Sequence, residues 1–159
     1  MRLIRTDGDD LVFQIGKREK RLLVDVLKLY PLIPAWHHRV SRSGEGNLAK
    51  SSQKLLDEAL ADQRRENKKQ LQTLINDEAR FKANELGYEF SLNTSQVEWL
   101  LQVLNDIRVG SWLILGEPDE KNGKNVELSP ENSNYVLAME ICGYFEGILL
   151  RGFEQPGAA

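Results

Sequence analysis

One arginine, Arg108, stands where the helical pattern predicts hydrophobic core, and it is the residue of this chain best suited to bind an anion. On a helical wheel it falls beside Leu101 and Leu104, where an unpaired guanidinium would carry a large desolvation cost. We therefore expect an acidic partner, and Glu140 is the candidate because it flanks the apolar side of the last predicted helix. A structural ion pair between Arg108 and Glu140 is the first interpretation, and an anion-binding arginine is the alternative.

Two other patterns could carry chemistry, but neither has the context that its chemistry needs. Residues 44–51, GEGNLAKS, nearly reproduce a phosphate-binding loop, yet Ala49 replaces the second glycine and no hydrophobic strand precedes the segment. His37 and His38 are adjacent and point in different directions, and the single cysteine, Cys142, lies far along the chain. We predict no catalytic residue, no metal site and no cofactor.

Aromatic and polar residues on the solvent sides of predicted elements indicate a protein-binding surface. Trp112 lies on the polar side of its helical wheel and Trp36 in a polar link, and tryptophans are frequent anchors of interfaces. Asn105 and Asp106 are adjacent on a helix and diverge in direction, so they favour contacts with a partner over acid–base catalysis. Homodimerisation through the Trp112 face is equally compatible, and packing of Trp112 against another helix is the alternative.

A basic segment near the middle of the chain supports a second class of function, which is DNA binding. Residues 61–70, ADQRRENKKQ, contain Arg64, Arg65, Lys68 and Lys69. A DNA-binding regulator would need these cations on one face, and its binding would weaken steeply as salt rises. The whole chain is acidic, with a net charge of −3 and a pI near 5.5, which lowers the expectation of nucleic-acid binding.

The charges are distributed unevenly along the chain. Residues 1–50 carry 10 Lys+Arg against 6 Asp+Glu, whereas residues 91–159 carry 4 against 10. Opposite net charges at the two ends favour attraction between them within the fold.

The composition predicts one soluble domain. The chain has 159 residues, of which 41% are hydrophobic and 28% charged, as in ordinary globular domains. No apolar run approaches the roughly 20 residues that span a bilayer. The N-terminus, MRLIRTDGDD, lacks the apolar core of a signal peptide, and the single Cys142 excludes an internal disulfide. We therefore expect a cytoplasmic protein in which Cys142 is an inert apolar side chain.

The elements that must position these residues begin with a β-hairpin. Asp7-Gly8 between two short apolar segments predicts this hairpin over residues 1–16. Apolar residues at helical spacing predict a helix over residues 17–30, which Pro31 ends. Residues 47–86 contain neither proline nor glycine and predict one long charged helix.

The last two predicted helices have the clearest start signals. Asn93 with Gln96 three residues later predicts a capped helix over residues 94–115, which a short extended bridge precedes. Ser129-Pro130-Glu131 predicts the start of a helix over residues 130–151.

These elements predict a mainly α fold. We expect an N-terminal β-hairpin followed by a helical bundle, with one long charged helix and two C-terminal antiparallel helices. The expected domain covers residues 1–154, and residues 155–159 are expected to be a frayed tail.

The block 97–110, VEWLLQVLNDIRVG, is followed by an acidic loop and a terminal helix with two tyrosines. This arrangement resembles the uncharacterised bacterial domain-of-unknown-function family numbered twenty-seventeen, which is best represented in actinobacteria. The resemblance implies a regulatory or adaptor role, because family genes often lie beside those for a proteolytic adaptor and a metallopeptidase, and some members are described as transcriptional regulators. It also implies that Asn105, Asp106 and Arg108 occupy the matched positions of any family site, and that the partner belongs to a proteolysis pathway.

These patterns favour a non-enzymatic protein-interaction or regulatory domain with an adaptor-like role. A DNA-binding transcriptional regulator that uses the basic segment is the alternative. A second alternative is an enzyme or binding protein for a small anionic ligand that uses Arg108. We expect a protein partner or a homodimer, and neither nucleic acid nor membrane.

Overall fold

The structure, a computed structural model, describes residues 1–32 and 47–154. The strands and α-helices of these residues are, in chain order, β1 (Arg2–Asp7), β2 (Asp10–Ile15), α1 (Lys17–Leu27), α2 (Asn47–Asn76), β3 (Phe81–Asn84), β4 (Gly87–Asn93), α3 (Thr94–Ile114) and α4 (Ser133–Glu154). The described residues do not include Trp36, His37, His38 or the predicted tail over 155–159. Residues 44–46 of the segment that nearly reproduces a phosphate-binding loop also lie outside them.

The four strands form one antiparallel sheet in the order β1-β2-β4-β3. The predicted hairpin is confirmed as β1 and β2, and β2 also pairs with β4 along its whole length, from Asp10 opposite Asn93 to Ile15 opposite Tyr88. One face of the sheet contributes fully buried side chains to the core, including Phe13, Ile15 and Phe90. A side chain of this size stabilises the fold by about 1.5–3 kcal/mol when it is fully buried.

Three of the helices pack against the apolar face of the sheet. On α1, Leu23, Val26 and Leu27 are spaced to face the core and are buried. α4 approaches the sheet closely at Gly152, where an added Cβ would lie 3.3 Å from the Phe13 ring. α3 and α4 are paired through their apolar sides, and together they place the candidate site described below.

The long helix predicted over residues 47–86 is wrong at its C-terminal end. α2 stops at Asn76, a short 3₁₀ turn follows, and the chain then enters β3. The Phe81 and Phe90 rings stack with their centroids 4.5 Å apart, and β3 pairs with β4. The long-range pairing and burial of Phe81 therefore override a local sequence that contains no helix-breaking residue.

The last helix begins later than predicted. Ser129 and Asn132 exchange two hydrogen bonds, of 2.7 Å from the Ser129 N–H to the Asn132 side chain and 3.3 Å from the Asn132 N–H to Ser129 Oγ. These bonds have the reciprocal pattern of a capping box, but they close a turn that precedes α4.

Candidate functional site

A surface groove of about 830 Å³ lies where the C-terminal end of α3 faces the N-terminal half of α4 and the loop that joins them. Its apolar walls are formed by Trp112, Leu115, Val126, Leu128, Val136 and Met139. This set is called the Trp112 groove below. The two helices run antiparallel, so the end of α3 lies beside the start of α4.

The Trp112 side chain is fixed by the chain reversal that follows α3. Its indole N–H donates a hydrogen bond of 3.1 Å to the Pro118 carbonyl, and the Glu117 N–H donates one of 3.0 Å to the Trp112 carbonyl. Trp112 is half-buried, so it is neither a freely exposed anchor nor a core residue. Because its only donor is used within the chain, the ring offers the groove an apolar wall.

The rim of the groove is also structured. Asp119 and Lys124 exchange two backbone hydrogen bonds of 2.8 Å, and the Asp119 side chain accepts a bond of 3.0 Å from the Lys121 N–H. Beyond this turn, Leu128 points outward with 73% of its surface exposed. The chain itself therefore holds the turn over residues 119–124, and the exposed Leu128 lies beyond this turn.

The loop and the start of α4 that border the Trp112 groove are acidic in sequence. Residues 117–140 carry six carboxylates against two lysines. The carboxylates are those of Glu117, Asp119, Glu120, Glu127, Glu131 and Glu140, and the lysines are Lys121 and Lys124. Glu120 and Glu140 line the groove itself, so a bound partner would meet negative charge beside apolar walls.

The predicted ion pair between Arg108 and Glu140 is wrong. Arg108 pairs with Glu146, with 2.5 Å between a guanidinium nitrogen and Oε2, because the antiparallel packing sets Arg108 level with Glu146. Glu140 lies nearly two turns further towards the start of α4, in the Trp112 groove. The expected burial of Arg108 is wrong as well: its side chain is 47% exposed, whereas that of Glu146 is 9% exposed.

The buried member of this pair is therefore the carboxylate. Glu146 Oε1 has no hydrogen-bond partner, and burial raises the pKa of Glu146 despite the opposing effect of Arg108. One turn earlier on α4, burial and the charge of Glu146 raise the pKa of the Cys142 thiol to about 12. The raised pKa disfavours Cys142 as a nucleophile. The Arg108 guanidinium already forms an ion pair with a carboxylate of its own chain.

We expect Cys142 to resist alkylation in the folded protein. At about pH 8 a thiol with a pKa of about 12 is roughly one part in ten thousand thiolate, and the side chain is fully buried. Treatment with iodoacetamide followed by mass spectrometry should find no adduct on the native protein and complete modification in denaturant. Labelling of the native protein at the rate of a free thiol would contradict this burial.

Asn105 and Asp106 do not join Trp112 in one site. They line a separate groove of about 250 Å³ between α2 and α3, together with Asn67 and Tyr30. Asn67 is buried and donates a hydrogen bond of 3.0 Å to the Tyr30 hydroxyl, and its carbonyl accepts one of 3.1 Å from the Trp99 indole. The hydrogen bonds of Asn67 attach α2 to the rest of the fold.

The basic residues of α2 are divided among different surroundings. Arg64 lines the groove between α2 and α3 with Asn67, and Lys69 lines another groove with Arg80. Arg65 forms an ion pair with Asp62. Lys68 is exposed, and the spacing 64, 65, 68 and 69 places all four predicted cations on one side of α2, although they line no common groove.

Several residues of the Trp112 groove were not predicted as site residues. Val126, Leu128 and Met139 form walls of the groove, and the sequence offers one signal for two of them. Val126 and Leu128 are apolar residues inside an otherwise polar loop, although single exposed apolar residues are common on protein surfaces.

No α-helix of the described residues is both long and apolar enough to cross a bilayer. Within residues 1–32 and 47–154, no three or more His, Cys, Asp or Glu side chains are grouped so as to hold a metal ion.

No protein family, curated protein or solved structure matches this chain. The resemblance to the bacterial family described above therefore stays an expectation.

Proposed function

We propose that this chain is a non-enzymatic protein-interaction domain, adaptor-like or regulatory in role, and that the Trp112 groove is its docking surface. The observation that carries the proposal is the exposed Leu128 beside the apolar wall of Trp112. Exposed apolar patches rimmed by polar residues are typical of interaction sites. An acidic rim around an apolar centre is the arrangement that gives a partner both affinity and orientation.

The alternatives have weaker support. An enzyme or binding protein for an anionic ligand would rely on Arg108, whose guanidinium is engaged by Glu146. A DNA-binding regulator would rely on the cations of α2, of which Arg65 is already paired with Asp62, in a chain with a net charge of −3. By resemblance, components of a cytoplasmic proteolysis pathway are the first partners to look for.

Site-specific photo-crosslinking in the native cells tests this proposal. A photoreactive phenylalanine analogue replaces Leu128 in one variant and Leu86 in the other. Leu86 is a matched control because it is 70% exposed against 73% for Leu128 and lies in the turn between β3 and β4. We expect discrete protein adducts from the Leu128 position and none of these from the Leu86 position.

Three other outcomes would contradict the proposal. These are the same adducts from both positions, no protein adduct from the Leu128 position, and adducts at that position that nuclease treatment removes. The last result would favour the DNA-binding alternative. A Trp112→Ala version of the Leu128 variant, checked by circular dichroism for retained folding, should lose the adducts, because Trp112 forms a wall of the same groove.

A further inference from the structure

We infer that the partner segment in the Trp112 groove is an amphipathic helix whose apolar face is flanked by lysines or arginines. This inference rests on the proposed function and adds the chemistry of the partner. It follows from three properties of the groove: what its walls can contact, which backbone it can accept, and which charges surround it.

The walls select apolar side chains. Trp112, Val136 and Met139 come from two helices, and the Trp112 indole N–H is already bonded to the Pro118 carbonyl. A polar side chain placed against this ring would lose water and gain no donor in return. The flexible Met139 adapts to the shape of an inserted side chain.

The backbone of the partner must satisfy its own hydrogen bonds. The edges of the sheet are β1 and β3, and neither strand contributes a residue to the groove, whose walls come from α3, α4 and their connecting loop. An extended peptide would therefore find no strand edge to pair with. A helix bonds its own backbone and presents only side chains, with apolar residues at i, i+3, i+4 and i+7 on one face.

The charge of the rim selects basic flanks. Six carboxylates against two lysines lie along residues 117–140, and Glu120 and Glu140 stand in the groove. Lysine or arginine beside the apolar face of the partner would meet these carboxylates, whereas nucleic-acid phosphates would be repelled. A second copy of this chain would bring its own acidic rim to the same place, so the charges oppose self-association through this groove.

Synthetic peptides test the inference on the full-length chain. The first is a helix-forming peptide with leucines on one face and lysines beside them; in the second, every lysine is glutamate; in the third, every leucine is serine. Binding is followed by the amide chemical shifts of the ¹⁵N-labelled protein as each peptide is added. We expect the leucine–lysine peptide to shift resonances of the groove and to saturate, and the glutamate and serine peptides to bind at least about tenfold more weakly.

Leu128→Ser tests the apolar wall of the groove, and Leu86→Ser is its control at a similarly exposed position. Leu128→Ser should weaken binding of the leucine–lysine peptide by about tenfold because it removes an apolar wall, whereas Leu86→Ser should leave it unchanged. Glu140→Gln should weaken binding a few-fold, and the difference from the parent protein should shrink as salt rises.

The possible results separate this inference from the proposed function. Equal binding of the lysine and glutamate peptides would overturn the basic flank, while photo-crosslinking at Leu128 would still support a docking surface. Equal binding of the serine peptide would show charge attraction without docking and would overturn the inference. Groove resonances that shift with protein concentration alone, or with a DNA duplex, would overturn it in favour of a second copy or of nucleic acid. No shift with any peptide, together with no Leu128 adduct, would overturn both proposals.

Discussion

Arg108→Ala should lower the free energy of unfolding by about 2 kcal/mol at neutral pH, because it leaves the buried Glu146 carboxylate without its charge partner. The expected loss is smaller than for a fully buried pair, since 47% of the Arg108 side chain is exposed to solvent. Chemical denaturation of the parent and the variant measures this difference.

The size of the Arg108→Ala effect should depend on pH with a defined sign. Burial raises the pKa of Glu146, so the folded state binds this proton more tightly than the unfolded chain does. The stability contributed by this group is fully present below its unfolded pKa and is lost as the pH rises through its folded pKa. The loss caused by Arg108→Ala should therefore shrink as the pH falls through that value, because a protonated Glu146 needs no cation.

The double variant Arg108→Ala with Glu146→Gln is the control for this interpretation. Glutamine keeps the shape of the side chain without its charge, so it should restore most of the stability that Arg108→Ala removes at neutral pH. Strict additivity of the two substitutions would show that the cost of Arg108→Ala comes from lost packing of its aliphatic stem.

Gly87→Ala should destabilise the fold by about 3 kcal/mol or more, the largest effect expected of a single substitution considered for this chain. Gly87 begins β4 with a φ of +132°, and an added Cβ would lie 2.4 Å from the Ile15 carbonyl oxygen and 3.0 Å from Gly16 Cα. Both contacts are with backbone, which cannot turn aside as a side chain can. Thermal and denaturant unfolding of the purified variant measure the effect.

Gly123→Ala is the comparison for a positive φ without a steric contact. Gly123 also has a positive φ, of +72°, but an added Cβ there would meet nothing within 4 Å, so only backbone strain of about 1 kcal/mol is expected. Similar losses for both variants would mean that β2 and β4 can move apart at Ile15, and the close approach at Gly87 would not limit stability.

The locally encoded parts of the fold were the ones that could be predicted from the sequence. The start of α3 depends on Asn93 and Gln96, which are three residues apart; the Asn93 side chain accepts the Gln96 N–H at 2.9 Å, and the Gln96 side chain accepts the Asn93 N–H at 3.0 Å. The hairpin likewise depends on one turn. Such features are set by neighbours along the chain.

The parts that were missed depend on residues far apart in sequence. Phe81 belongs to a strand because Phe90 stacks on it, and Lys20 of α1 covers both the Phe81 and Tyr88 rings at 4.4 and 4.1 Å. No pattern of helical spacing reports such contacts. The alternation of Tyr88, Phe90 and Leu92 was a visible strand signal, but the pairing that turns it into a sheet was not.

The candidate site was predicted only in part for the same reason. Trp112 lines the groove, but the register of α3 against α4 decides that Glu140 lines it too and that Glu146 meets Arg108. Glu140 and Glu146 lie nearly two turns apart on α4, so the level of α4 against α3 decides which of the two carboxylates Arg108 can reach. Helix periodicity fixes the face of a residue and leaves its level along the partner helix open.

The turn closed by Asp119 and Lys124 bears on the association and dissociation rates of a partner at the Trp112 groove. Because two backbone hydrogen bonds of 2.8 Å already close this turn, residues 119–124 would lose little conformational entropy on association. The arrival rate of a basic partner would then follow the acidic rim and fall as salt screens it, while its residence time would follow the apolar contacts at Leu128 and Trp112. A rise in salt concentration would therefore lower the association rate constant, whereas Leu128→Ser would raise the dissociation rate constant.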